Sequence, residues 1–141
     1  MLIVDTSALA AALNVRETHH EACADVLLAD DRPIVITPVL TETCSYLRRQ
    51  LGARSEADFL YRLIDDALEM VELELMDVIR IAELTRRYED LALGFVDAAI
   101  VAVAERLGAT RIATLNYRDF GVVRPAHAAY LTLVPEATVR R

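Results

Sequence analysis

Short apolar runs alternate along the chain with longer stretches in which apolar residues recur every three or four positions. The runs are Leu2-Ile3-Val4, Ile34-Val35-Ile36, Met70-Val71-Glu72-Leu73, Arg111-Ile112-Ala113-Thr114 and Tyr130-Leu131-Thr132-Leu133. Strands this short and this apolar suit a sheet that is covered on both faces. Between them the spacing predicts helices over 8–13, 18–29, 38–50, 77–88 and 95–107. One apolar stripe is expected on Ala22, Val26 and Ala29, and another face on Val78, Ile81, Ala82, Thr85 and Tyr88. Thr37-Pro38 suits an N-cap followed by the first helical residue, and Gly52 and Gly108 suit helix stops. Ser55 with Asp58 three residues on predicts a capping box opening a further helix, which ends near 66 or 67. Strands alternating with helices indicate the α/β class: a single domain over 1–141 with a mostly parallel sheet of about five strands, sandwiched as three layers, α/β/α. The last few residues read as a polar tail.

At 141 residues the chain is long enough for one substantial core, and 55% hydrophobic residues argue against disorder. No apolar run approaches the ~18–20 residues of a membrane span. The start, Met-Leu-Ile-Val-Asp, has no basic segment and carries a charge at position five, which predicts a cytoplasmic protein without a signal peptide. Cys23 and Cys44 fit buried free thiols in a reducing compartment. His19, His20 and His127 show no zinc-ligand spacing with either cysteine. The net charge of −7 works against tight binding of a polyanion. Either nucleic acid is not the ligand, or some carboxylates gather around cations that invert the local field. All 15 basic residues are arginines.

Ligands of open parallel sheets bind beyond the carboxyl ends of the strands, so acids at those ends carry the most information. Asp5 follows the first strand, Glu42 lies one turn into the helix after the second, Asp97 sits in the first turn of the 95–107 helix, and Asn116 and Asp119 follow the fourth strand. Each has a simpler use: a turn at Asp5, a helix-dipole contact at Glu42, an N-cap at Asp97, a polar loop at Asp119. Asp97 stands out because Ala98 to Ala104 is almost wholly apolar and must be buried. Several carboxylates at one sheet edge repel by roughly several kcal/mol unless protonated or bridged by cations. A site built from oxygen donors alone favours Mg2+ or Mn2+ over zinc.

The ordered set Met-Leu-Ile-Val-Asp5-Thr6-Ser7, Glu42, Phe95-Val96-Asp97-Ala98 and Thr114-Leu115-Asn116-Tyr117-Arg118-Asp119-Phe120 resembles PIN domains, and more narrowly the VapC-type toxins of bacterial toxin–antitoxin pairs. That resemblance implies a Mg2+- or Mn2+-dependent endoribonuclease leaving 5′-phosphate and 3′-hydroxyl ends. It implies a homodimer restrained by a small antitoxin that pushes a C-terminal segment into the acidic groove. On the matching positions Asp5 and Asp97 are the principal metal ligands. Glu42 and Asp119 complete the set directly, through water or at a second ion, while Thr6 or Ser7 orients Asp5. Many relatives carry aspartate where this chain has Asn116, so the fourth carboxylate here is Asp119.

Arg48, Arg49 and Arg118 are the candidates for holding RNA, each with the alternative of an ordinary solvated charge. Single-stranded or looped RNA fits better than a duplex, because its bases are accessible. A haloacid-dehalogenase-like phosphatase also begins with strand-Asp, but it needs a second Asp where this chain has Ser7, and both it and a phospho-acceptor receiver domain need a lysine that this chain lacks. A PIN ribonuclease outside toxin–antitoxin systems and a catalytically inactive binding fold are the other readings.

Overall fold

The computed structural model describes residues 1–138, and the end of the expected polar tail, 139–141, lies outside the described residues. Five strands form one sheet: β1 Leu2–Val4, β2 Ile34–Ile36, β3 Glu69–Val71, β4 Arg111–Ala113 and β5 Thr132–Val134. Their order is β3-β2-β1-β4-β5, and every pairing is parallel. In register, Ile3 faces Ile34 on one side and Ile112 on the other. The helices are α1 Thr6–Leu13, α2 His20–Leu28, α3 Thr37–Leu51, α4 Ala53–Ile64, α5 Leu75–Arg87, α6 Phe95–Leu107 and α7 Tyr117–Val122. The chain winds from β1 through β2 to β3 with α1–α4 as crossovers, then returns through α5 and α6 to β4 on the other side of β1. Right-handed crossovers running in opposite directions place their helices on opposite faces, which gives the three layers.

Burial explains why the apolar runs become strands. Leu2, Ile3, Val4, Val35, Ile36 and Ile112 have no measurable exposure. All seven residues from Ala98 to Ala104 are buried, so α6 is the central helix of its layer. Its C-cap, Gly108, lies at φ 72°, a left-handed conformation that favours glycine.

Several local expectations are corrected. α1 begins at Thr6, because Asp5 itself caps it by accepting the Thr6 N–H. Thr37 is the first residue of α3 and Ile36 precedes it as the cap residue without a side-chain bond. No capping box forms at Ser55; α4 starts at Ala53 after Gly52, and Ser55 Oγ donates back to the Leu51 carbonyl. The reciprocal box occurs instead at α5, between Glu74 and Asp77. On α2, Ala22 and Ala29 are exposed, and Cys23 is the residue turned into the core. On α5, Val78 and Ala82 face outward while Asp77, Ile81 and Leu84 face inward. The reason is a partner distant in sequence: Arg106 of α6 donates to both oxygens of Asp77 at 3.0 and 3.1 Å, allowing a carboxylate to occupy the inner face. Both cysteines are free thiols, Cys23 buried as expected and Cys44 only partly so. No helix among the described residues is long and apolar enough to cross a membrane.

Candidate active site

The strand order reverses direction between β1 and β4, and such a switch point leaves a crevice beyond the carboxyl ends of the two strands. Asp5 and Thr114 are the residues that immediately follow those ends. The pairing continues one step past β1, where the Asp5 N–H donates to the Ala113 carbonyl at 2.8 Å. Asp5 is therefore held by backbone geometry in a nearly closed position, with 5% of its surface exposed.

Three neutral groups satisfy the Asp5 carboxylate. Thr6 N–H donates to Oδ1 at 2.7 Å, and Ser7 Oγ and Thr114 Oγ1 donate to Oδ2 at 2.8 and 2.7 Å. Burial pushes the Asp5 pKa up, these hydrogen bonds pull against it, and the nearby charge of Glu42 adds to the rise. Thr6 reaches the other way as well, its hydroxyl donating to Glu42 Oε1 at 2.6 Å. Glu42 is exposed and reaches the crevice from α3.

On the opposite wall, Asn116 N-caps α7 and uses both amide protons on acids. Its Nδ2 donates to Asp97 Oδ2 at 3.2 Å and to Asp119 Oδ2 at 3.0 Å. Asp97, in the first turn of α6, has its pKa raised to about 7 by burial first, then by the charges of Asp5, Asp119 and Glu42. The four sequence-selected acids thus come together, joined by Thr6 and Asn116. Asp119 lies on a short helix and not in the polar loop that was its simpler reading; Phe120 anchors that helix in the core.

Sequence reasoning passed over Thr114. It looks like one more β-branched strand residue, yet it is wholly buried and links Asp5 to the next turn by accepting the Asn116 N–H at 2.9 Å. The available signal was a hydroxyl at the carboxyl end of an otherwise apolar strand. Of the arginines, Arg118 is exposed beside the crevice, with Nε 3.9 Å from Asp119 Oδ1. Arg48 is paired with Glu56 of α4 at 2.5 Å. Arg49 is exposed at the far end of α3 from the crevice. An apolar groove lined by Leu13, Leu27, Leu28, Phe59 and Leu63 shares no residue with the acidic crevice.

The donor set suits a hard divalent cation, since the four acids offer it only oxygens. Asp119 Oδ1 is buried and accepts no hydrogen bond, with Arg118 no nearer than the 3.9 Å contact, so its lone pairs are open to a cation. Among the described residues, no three His, Cys, Asp or Glu side chains already stand close enough to enclose a metal ion. Neutral donors hold the acids together here: Thr6 links Asp5 with Glu42, and Asn116 links Asp97 with Asp119.

The PIN domain family model matches residues 2–124. Ribonuclease VapC26 of Mycobacterium tuberculosis (strain ATCC 25618 / H37Rv) is 29% identical over 135 residues, which cover 95% of this chain and all of that protein. Among solved structures, Mycobacterium tuberculosis VapC20, a sarcin–ricin loop cleaving toxin, superposes with a TM-score of 0.80 at 21% identity, covering 92% of this chain and 99% of that one. VapBC2 from Rickettsia felis, bound to a DNA fragment from its promoter, gives a TM-score of 0.67 at 18% identity, covering 94% and 96%. The family pattern spans the crevice from Asp5 to Asp119, and this chain belongs to the PIN domain family.

Proposed function

We propose that this protein is a Mg2+- or Mn2+-dependent endoribonuclease acting as the toxin of a toxin–antitoxin pair. The observation that carries the reading is the meeting of Asp5, Glu42, Asp97 and Asp119 at the β1/β4 switch point. Its kinship with a VapC ribonuclease supports the same conclusion. Asp5 and Asp97 are the principal ligands of the cation, with Glu42 and Asp119 completing the set directly or through water. When bound, the cation polarises the scissile phosphate and acidifies the attacking water.

The chain's own groups do the rest. Ser7 and Thr114 orient Asp5, and Asn116 holds Asp97 and Asp119 at a fixed separation. Asp97, with its pKa near 7, gives up its proton when a cation takes that place. Arg118 reaches a phosphate flanking the cut, and charge-assisted hydrogen bonds there offset the acidic balance of the chain. Cleavage leaves a 5′-phosphate and a 3′-hydroxyl. The protein works as a cytoplasmic homodimer on single-stranded or looped RNA and is silenced by a small antitoxin.

The test compares wild type with Asp5→Asn and Asp97→Asn on total RNA, in Mn2+ and in EDTA. Cutting is expected to need the metal and both acids while folding survives both substitutions. Undiminished cutting by either variant, or by wild type in EDTA, overturns the assignment. The toxin role adds that expression without the antitoxin arrests growth and that Asp5→Asn relieves the arrest.

A further inference from the structure

An ionised carboxylate has about four lone-pair sites, two on each oxygen. On Asp5 three of these are filled by the protein: the Thr6 N–H on Oδ1, and the Ser7 and Thr114 hydroxyls on Oδ2. The two hydroxyls are committed to this role. Ser7 Oγ accepts the Leu115 N–H at 2.9 Å and Thr114 Oγ1 accepts the Asn116 N–H at 2.9 Å, so each has its single proton left to donate. Their mutual separation, 3.3 Å, is longer than either contact to Asp5, which places both protons on the carboxylate. These backbone N–H donors belong to the turn between β4 and α7, so Asp5 Oδ2 is enclosed by the fold.

The same asymmetry recurs at the other acids. Glu42 receives Thr6 on Oε1, Asp97 receives Asn116 on Oδ2, and Asp119 receives Asn116 on Oδ2. Each carboxylate has one oxygen that accepts from a neutral donor and one that does not, and for Asp119 the second is the buried Oδ1, which accepts no hydrogen bond and lies 3.9 Å from Arg118 Nε.

We propose that Ser7 and Thr114 restrict Asp5 to one coordinating lone pair, on Oδ1, so that the crevice takes a single divalent cation at Asp5 rather than a pair bridged by its two oxygens. This rests on the metal-dependent reading above and specifies its stoichiometry. Two ions linked through separate oxygens of Asp5 require Oδ2 to shed a hydroxyl, leaving a buried group unpaired. Ser7 and Thr114 are positioning residues in this scheme, since they act through Asp5 alone.

The test titrates Mn2+ into the metal-free full-length protein and follows electron paramagnetic resonance. The expected result is one ion per chain, with the signal of an isolated Mn2+ still present at two equivalents. An exchange-coupled pair of ions in wild type overturns the proposal, and does so without touching the nuclease reading if that same protein cuts RNA. Wild type that neither binds Mn2+ nor cuts RNA overturns both. Thr114→Val and Ser7→Ala are expected to weaken Mn2+ binding about 10- to 100-fold, and Thr114→Ser, which keeps the hydroxyl, by about threefold at most. Circular dichroism checks the fold, and if Thr114→Val does not fold, Ser7→Ala against wild type decides. Unchanged Mn2+ affinity in a folded Thr114→Val or Ser7→Ala variant overturns the proposal.

Discussion

Replacing Asp97 by asparagine should make the metal-free protein more stable, by an amount that depends on pH. The carboxylate has an ordinary pKa of 3.8 when unfolded and about 7 in the folded protein. Between those values the native state holds a proton that the unfolded chain has released, so stability falls as pH rises from about 4 to about 7 and then levels off. A rise of roughly three units corresponds to about 4 kcal/mol at full strength. Asp97 is only partly buried and solvent screens part of the repulsion, so about 2 kcal/mol is the realistic figure. Asparagine removes the charge and retains an oxygen to accept from Asn116 Nδ2. Urea unfolding in EDTA should show the variant equal to wild type near pH 4 and about 2 kcal/mol more stable at pH 8, a melting shift of about 6 °C. Saturating Mn2+ should reverse the order, because only wild type gains binding energy. A variant less stable than wild type at pH 8 in EDTA, or a difference that ignores pH, refutes the electrostatic account of the crevice.

Two other outcomes can be checked on the same material. Thr43 is wholly buried and its hydroxyl has no hydrogen-bond partner, so Thr43→Val should stabilise the fold by about 1 kcal/mol; a lower urea midpoint counts against this. In an Asp5→Asn background, Arg118→Ala should weaken single-stranded RNA binding and reduce the salt dependence by about one phosphate contact, a slope change of about 0.7. Arg48→Ala should leave both unchanged, because Arg48 is already engaged by Glu56; equal effects of the two arginines would refute the placement of the RNA.

The layered fold was legible because its strands are short and mostly apolar, β1 and β2 wholly so, and separated by helical stretches. α6 was legible for a similar reason, lying between Gly94 and Gly108 with an unbroken apolar stretch from Ala98 to Ala104. The convergence of the acids followed from the sheet-edge rule, which needs only the positions of the strand ends. What escaped depended on partners far along the chain. The inward face of α5 was misplaced because Asp77 is buried against Arg106, a pairing with no trace in the local period. α7 is six residues long with Phe120 alone buried, too short for any periodicity to register. Thr114 becomes a partner of Asp5 only once β1 and β4 are neighbours, 109 positions apart.

That separation has a consequence for synthesis. β1 emerges well before β4, the strand that completes its pairing on the second side. Until it pairs, Asp5 lacks the Thr114 hydroxyl, while Asn116 and Asp119 lie still farther along the chain. A nascent polypeptide halted anywhere before β4 therefore carries no assembled acidic pocket, and any hazard that such a pocket represents to RNA arises only after β4 and α7 have been made.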